Sequence, residues 1–366
     1  MKRILSLDGG GLRGTFSLAV LERLEALLRA RAGQPGLVLA DHFDLIAGTS
    51  TGAIIATLLS WGESVASIRR LYEEQAGLMF HRNNVFTGTI YNRYSAQGLA
   101  GFLRGFLVER PEDGGGEALF GTGRLRTRLL VVVRNATTGS AWPLCNHPGG
   151  RYNDPALADN NLRIPLWQLV RASAAAPTFF QPQEIALGEG HSRFIDGGIT
   201  PYNNPAHIAY LFATLADYRM GWETGEDRLH LVSVGTGQTR TVYHADEIYS
   251  LHKLNVAVRT IRALLQGASV QQDLLCRVDG RCLFGAAVDS EVGDLIGPAA
   301  RDQAPGGERK RFTYVRYNTD FADARFAPVM AAHDGDVPMD DVNLVPLLHA
   351  HGEEYAAAHV REEHLR

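Results

Sequence analysis

Residues 43–61 read FDLIAGTSTGAIIATLLSW, and the fold turns on whether this stretch crosses a bilayer or folds back on itself. Asp44 and the polar GTSTG break would be costly in hydrocarbon. They suit a buried strand that turns sharply into a helix starting near Thr51. The turn, Gly48–Gly52, fits G-x-S-x-G, a nucleophile elbow when it joins a strand to a helix. Ser50 then sits on the turn with its hydroxyl presented above the sheet. Gly48 and Gly52 relieve crowding where strand and helix meet, and the helix N-terminus favours developing negative charge. The same letters also suit an ordinary turn with a capping Ser or Thr.

The preceding segment has the same form. RILSLDGGGLRGTF, residues 3–16, reads as a strand, a glycine-rich turn and a helix with Val20, Leu21, Leu24, Leu27 and Leu28 on one face. Gly9, Gly11 and Gly14 satisfy the dinucleotide fingerprint G-x-G-x-x-G. A dinucleotide-binding unit also needs an acid at the end of its second strand. Here that strand ends in GTSTG, so the loop is expected to meet a different anion.

Strands and helices alternate along the chain, which predicts an α/β fold with a mainly parallel sheet. Further strands are expected in RLLVVVRNAT (128–137), SRFIDGG (192–198), LHLVSVGTG (229–237) and FTYVRYN (312–318). Helices are expected over 64–79, 95–108, 164–177, about 247–276 and in the C-terminal stretch. No internal repeat or linker divides the chain. One domain over 1–366 is expected, with loop insertions near 109–123 and 297–311.

The composition is that of a globular protein, with 45% hydrophobic and 21% charged residues. A formal net charge of -4 gives no footprint for DNA or RNA. Cys145, Cys276 and Cys282 are too few and too scattered for a disulfide framework or a zinc site, and fit a reducing cytosol. The apolar run after Lys2 and Arg3 is too short for a signal-peptide core. A cytoplasmic protein is expected, meeting a membrane only from the aqueous side.

Ser50 needs a base. Asp196 ends an apolar strand just before Gly197 and Gly198, at the kind of position where open α/β sheets gather ligands. Apolar walls would raise its pKa and suit it to take a proton. A plain Asp-Gly turn reads equally well from this stretch alone. A Ser–His–acid esterase would instead recruit a later histidine, such as His191, His207, His230, His244 or His252, none of which lies in a marked loop. A protein with inert motifs that binds nucleotides or acts as a scaffold is the remaining alternative.

Taken in order, DGGGLRG (8–14), GTSTG (48–52), RASAAAPTFF (171–180), FIDGGITPYNNP (194–205) and LVSVGTG (231–237) resemble the motifs of the patatin-like phospholipases. The resemblance implies a three-layer α/β/α fold and hydrolysis of phospholipid acyl esters without a metal or other catalytic cofactor. It implies a Ser50–Asp196 dyad, oxyanion donors at Gly9, Gly10 and Gly11, and a supporting role for Arg13. More narrowly, SVQQDLLCRVDGRCLFG (269–285) resembles a segment of bacterial patatin-like effectors switched on by cyclic oligonucleotides in anti-phage defence. That implies a cyclic di- or trinucleotide activator and a homodimer acting on the inner face of the membrane. Arg277 and Arg281, four apart, would share a helical face and could meet phosphates.

Overall fold

The computed structural model describes residues 1–79, 96–177, 179–239, 253–289, 291–296 and 309–366. Nine strands form its sheet among those residues. They are β1 Lys2–Leu7, β2 Leu45–Thr49, β3 Arg128–Asn135, β4 Ser140–Cys145, β5 Gln183–Leu187, β6 Gly190–Asp196, β7 Leu229–Val234, β8 Arg281–Phe284 and β9 Thr313–Tyr317. The order is β5-β6-β3-β2-β1-β7-β9-β8, with β4 paired to β3. From β3 through β8 the pairings are parallel, while β6, β5 and β4 add antiparallel neighbours.

Alternation along β1 sets the layers, because successive side chains point to opposite faces. Leu5 and Leu7 join one apolar cluster and Ile4 the other. On the first face pack α1 Gly14–Ala32, α2 Thr51–Trp61, α3 Val65–Met79, α4 Ala96–Phe106, α5 Leu166–Ser173 and the C-terminal helix Val345–His359. On the second lie α6 Ala206–Thr214 and the long helix Lys253–Asp279, which inserts Cys276 beside Tyr314. The result is a three-layer α/β/α arrangement, as the sequence led one to expect. Continuous apolar runs mark the central strands because both faces are covered.

The stretch 43–61 does fold back, as β2 and α2. Among the described residues no helix is long and apolar enough to cross a membrane. Strands β4, β5 and β8 were not evident in the sequence. They flank the sheet, alternate weakly, and β4 even carries Pro143. The 109–123 insertion holds a short turn at Pro111–Asp113 and a bridge between Val108 and Glu117. The 297–311 insertion lies outside the described residues up to 308.

The C-terminal helix crosses α1 closely at Gly352, where an added Cβ would lie 2.7 Å from the Ala19 Cβ. Gly352→Leu is expected to overpack this contact and cost about 1–3 kcal/mol. Urea unfolding reads it as a lower midpoint at unchanged slope. A midpoint at or above wild type would mean that the two helices can part freely.

Candidate active site

The site gathers at the carboxyl ends of β1, β2 and β6. Ser50 follows β2 with φ 55 and ψ -123, a backbone geometry that L-residues rarely adopt. Close packing imposes it. A Cβ at Gly48 would lie 2.2 Å from the Gly52 carbonyl oxygen, and one at Gly52 would lie 2.2 Å from that of Leu7. Strand and helix therefore approach to a distance that side chains would forbid. The Ser50 N–H donates to Ser173 Oγ at 2.9 Å, and that hydroxyl donates to the Val132 carbonyl at 2.6 Å. Ser173, at the end of α5, thus ties the elbow to β3.

Ser50 Oγ donates to Asp196 Oδ2 at 2.7 Å. The other carboxylate oxygen accepts the Gly198 N–H at 2.6 Å, which fixes the plane of the group. Asp196 is buried, and desolvation pushes its pKa up from 3.8 to about 6, against the stabilising bonds from Ser50 and Gly198. Among the described residues the candidate histidines are engaged elsewhere. His207 Nε2 meets Asp279 at 2.8 Å, and buried His230 bonds Thr313 and the His364 carbonyl. Burial lowers the His230 pKa to about 3. His191 pairs with exposed Glu184, and His244 and His252 lie outside the described residues.

The glycine loop follows β1. The resemblance implied three amide donors, but the Gly9 N–H is already committed to the Asn203 carbonyl at 3.0 Å. Its own carbonyl accepts the Thr236 hydroxyl at 2.8 Å. Gly9 is therefore an anchor of the loop. The Gly10 and Gly11 amides donate to no carbonyl among the described residues, which leaves them able to receive an oxyanion. Gly11 has φ +58, and a Cβ there would strike the Met339 carbonyl oxygen at 2.3 Å. That carbonyl accepts the Leu12 N–H at 2.8 Å. Arg13 lies in the short turn after the loop, with its guanidinium 3.7 Å from Asp336.

Beneath the loop, Arg316 on β9 donates to Asp8 at 2.9 and 2.5 Å and to Ser233 Oγ at 2.7 Å. Burial opposes the guanidinium's charge, and Asp8 outweighs it, holding Arg316 firmly protonated. Sequence reasoning missed Arg316, Ser173, Asn203 and Thr236. Ser173 and Asn203 lie inside the motif blocks quoted above, which was the available signal. Arg316 has none, since its partner is more than 300 residues away.

Arg277 and Arg281 do not share a helical face. The long helix ends at Asp279, and Arg281 begins β8. Gly280 makes the break, where a Cβ would lie 2.5 Å from the Phe312 ring. Arg277 is buried and grips Asp273 with bonds of 2.9 and 2.8 Å, while Arg281 meets Glu226 at 2.6 Å. Among the described residues no three or more His, Cys, Asp or Glu side chains gather as metal ligands would.

An α/β sheet with a serine on an elbow, a carboxylate in hydrogen-bonding reach and a glycine loop beside it defines a fold and site of one kind. The chain belongs to the patatin-like phospholipase family, whose model matches residues 5–210. It is similar to the "cGAMP-activated phospholipase" of Vibrio cholerae serotype O1, 33% identical over 209 residues, 56% of each chain. A protein of that name from Escherichia coli strain TW11681 is 28% identical over 64% of this chain and 62% of its own. The "cUMP-AMP-activated phospholipase" of Escherichia coli is 30% identical over 64% of each. The chain thus spans between 56% and 64% of the length of these relatives.

Ser173→Ala leaves the Ser50 amide and the Val132 carbonyl without this partner, a loss worth about 1–3 kcal/mol. Loosening the elbow is expected to slow covalent labelling of Ser50 by a fluorophosphonate about 10- to 100-fold. Labelling at the wild-type rate would show that packing alone holds the turn.

Proposed function

We propose that the protein is a lipid acyl hydrolase of the phospholipase A type, acting through a Ser50–Asp196 dyad. The observation that carries this reading is the 2.7 Å bond from Ser50 Oγ to a buried carboxylate. Asp196 takes the proton as Ser50 attacks the ester carbonyl. The Gly10 and Gly11 amides receive the oxyanion, each such donor being worth about 10²–10³ in rate. Asp196 returns the proton to the leaving lysolipid oxygen, and an acyl-Ser50 ester remains. Water then attacks it, with Asp196 again as base. No imidazole is needed, because the burial that raises the pKa of Asp196 makes it a stronger base than an exposed aspartate.

The names of the relatives support a second layer. We propose that a cyclic di- or trinucleotide activates the enzyme, which acts peripherally on a cytoplasmic membrane face as a homodimer in bacterial anti-phage defence. The catalytic step requires no metal or organic cofactor in this reading.

Lipid mass spectrometry on vesicles, with and without a panel of cyclic nucleotides, tests the proposal. Wild type is expected to release fatty acid and lysolipid, and Ser50→Ala and Asp196→Asn to release neither. Replacing each histidine in turn should leave turnover at saturating nucleotide standing, whereas one dead histidine variant beside an active Asp196→Asn would favour a Ser–His–acid enzyme.

The base works ionised, so kcat/KM is expected to hold above the Asp196 pKa and to fall as pH drops through about 6. The limiting slope is about tenfold per pH unit. An acid limb centred near 4 instead would mean that burial of Asp196 is relieved in the working enzyme.

A further inference from the structure

A second concavity opens at the carboxyl ends of β7, β9 and β8, with a volume of about 370 Å³. Neither the dyad nor the glycine loop lines it. Such crevices beyond parallel strand ends are where open α/β sheets hold ligands. Its size lies in the range of small-molecule sites.

The wall has a particular chemistry. Phe284, Tyr355 and His359 form an aromatic side, with ring centroids 5.6 Å apart for Phe284–His359 and 4.6 Å for Tyr355–His359. Gln238, Asn318 and Asp320 bring amide and carboxylate groups to the same space. Flat rings offer a stacking face, and these polar groups can read the hydrogen-bonding edge of a heterocycle. Residues 285–288 form another side beside Arg277, which also lines the cavity and whose guanidinium leaves only 2.6 Å for a Cβ at Gly285. A fatty acyl chain would find this lining too polar, because it would strip water from charged and amide groups and give no hydrogen bonds back.

The cavity reaches the glycine loop through two of its lining residues. Arg316 lines it and holds Asp8, the residue before Gly9. Ser269 also lines it and accepts a bond from the Asn203 side chain at 3.2 Å, while the Asn203 carbonyl holds the Gly9 N–H at 3.0 Å. Two independent chains of contact thus join this cavity to the loop that receives the oxyanion.

We propose that this cavity binds one nucleotide unit of the activating cyclic nucleotide, its base against the aromatic side and its edge at Gln238, Asn318 and Asp320. This rests on the regulatory reading above and adds where the regulator sits. Occupancy bears on Arg316 and Ser269, and so on the placement of the Gly10 and Gly11 amides. A ligand that prefers one placement of the loop shifts the enzyme toward it.

The test uses the full chain with cGAMP, cUMP-AMP and cyclic trinucleotides as probes. Calorimetry should show binding of at least one of them to wild type. His359→Ala and Asp320→Ala, both at exposed positions, should weaken that binding about tenfold or more, as loss of a base-stacking or base-edge contact does. An azido-purine analogue of the bound nucleotide should cross-link to the peptides holding Phe284–Val288 or Tyr355–His359. Binding with cross-links elsewhere, or unweakened in both folded variants, overturns the site and leaves the regulatory reading intact. Binding of none of the probes overturns both.

Discussion

The arrangement depends on one close approach. Helix α2 runs so near to β1 and β2 that neither Gly48 nor Gly52 could carry a side chain. The connection between β2 and α2 must then turn within a single residue, and Ser50 absorbs the turn with a positive φ. Conformations of this kind cost about 1–3 kcal/mol and persist only where surroundings over-determine them. Here the surroundings are the Ser173 hydroxyl on one side and the Asp196 carboxylate on the other. Strain, anchoring and chemistry thus meet at one residue.

Much of this was legible in the sequence because it is local. An apolar strand, a G-x-S-x-G turn and an apolar helix occupy consecutive residues, so the elbow can be read without knowing the fold. Asp196 was legible for the same reason, as an acid at the end of a strand before two glycines. What escaped was non-local. The fate of the Gly9 amide depends on a carbonyl at Asn203, and that of Asp8 on Arg316, which lies on a strand of quite ordinary sequence. Arg277 and Arg281 illustrate the opposite error. A spacing of four suggests a shared helical face only while the helix continues, and Gly280 ends it under the Phe312 ring.

The site holds two buried carboxylates with different partners. Asp196 is buried and takes its hydrogen bonds from the Ser50 hydroxyl and the Gly198 amide, too little to offset desolvation, so its charge is costly and its proton affinity rises. Desolvation raises the proton affinity of Asp8 too, but there a bidentate Arg316 guanidinium pulls the other way and clamps the group in place. The difference lies in what the neighbouring strands supply, since both acids precede glycines at strand ends. In the proposed reaction the carboxylate bonded to the serine is the base, while the one held by a guanidinium fixes the loop.

The Asp8–Arg316 pair also orders events in time. A ribosome completes the glycine loop and the elbow long before it reaches β9. Until Arg316 emerges, Asp8 has no counter-charge, and burying it alone would cost several kcal/mol. Before β9 is made, the loop lacks the partner that clamps Asp8 in its final place. A nascent or truncated polypeptide that lacks β9 would thus carry Ser50 without the Asp8–Arg316 pair behind its glycine loop.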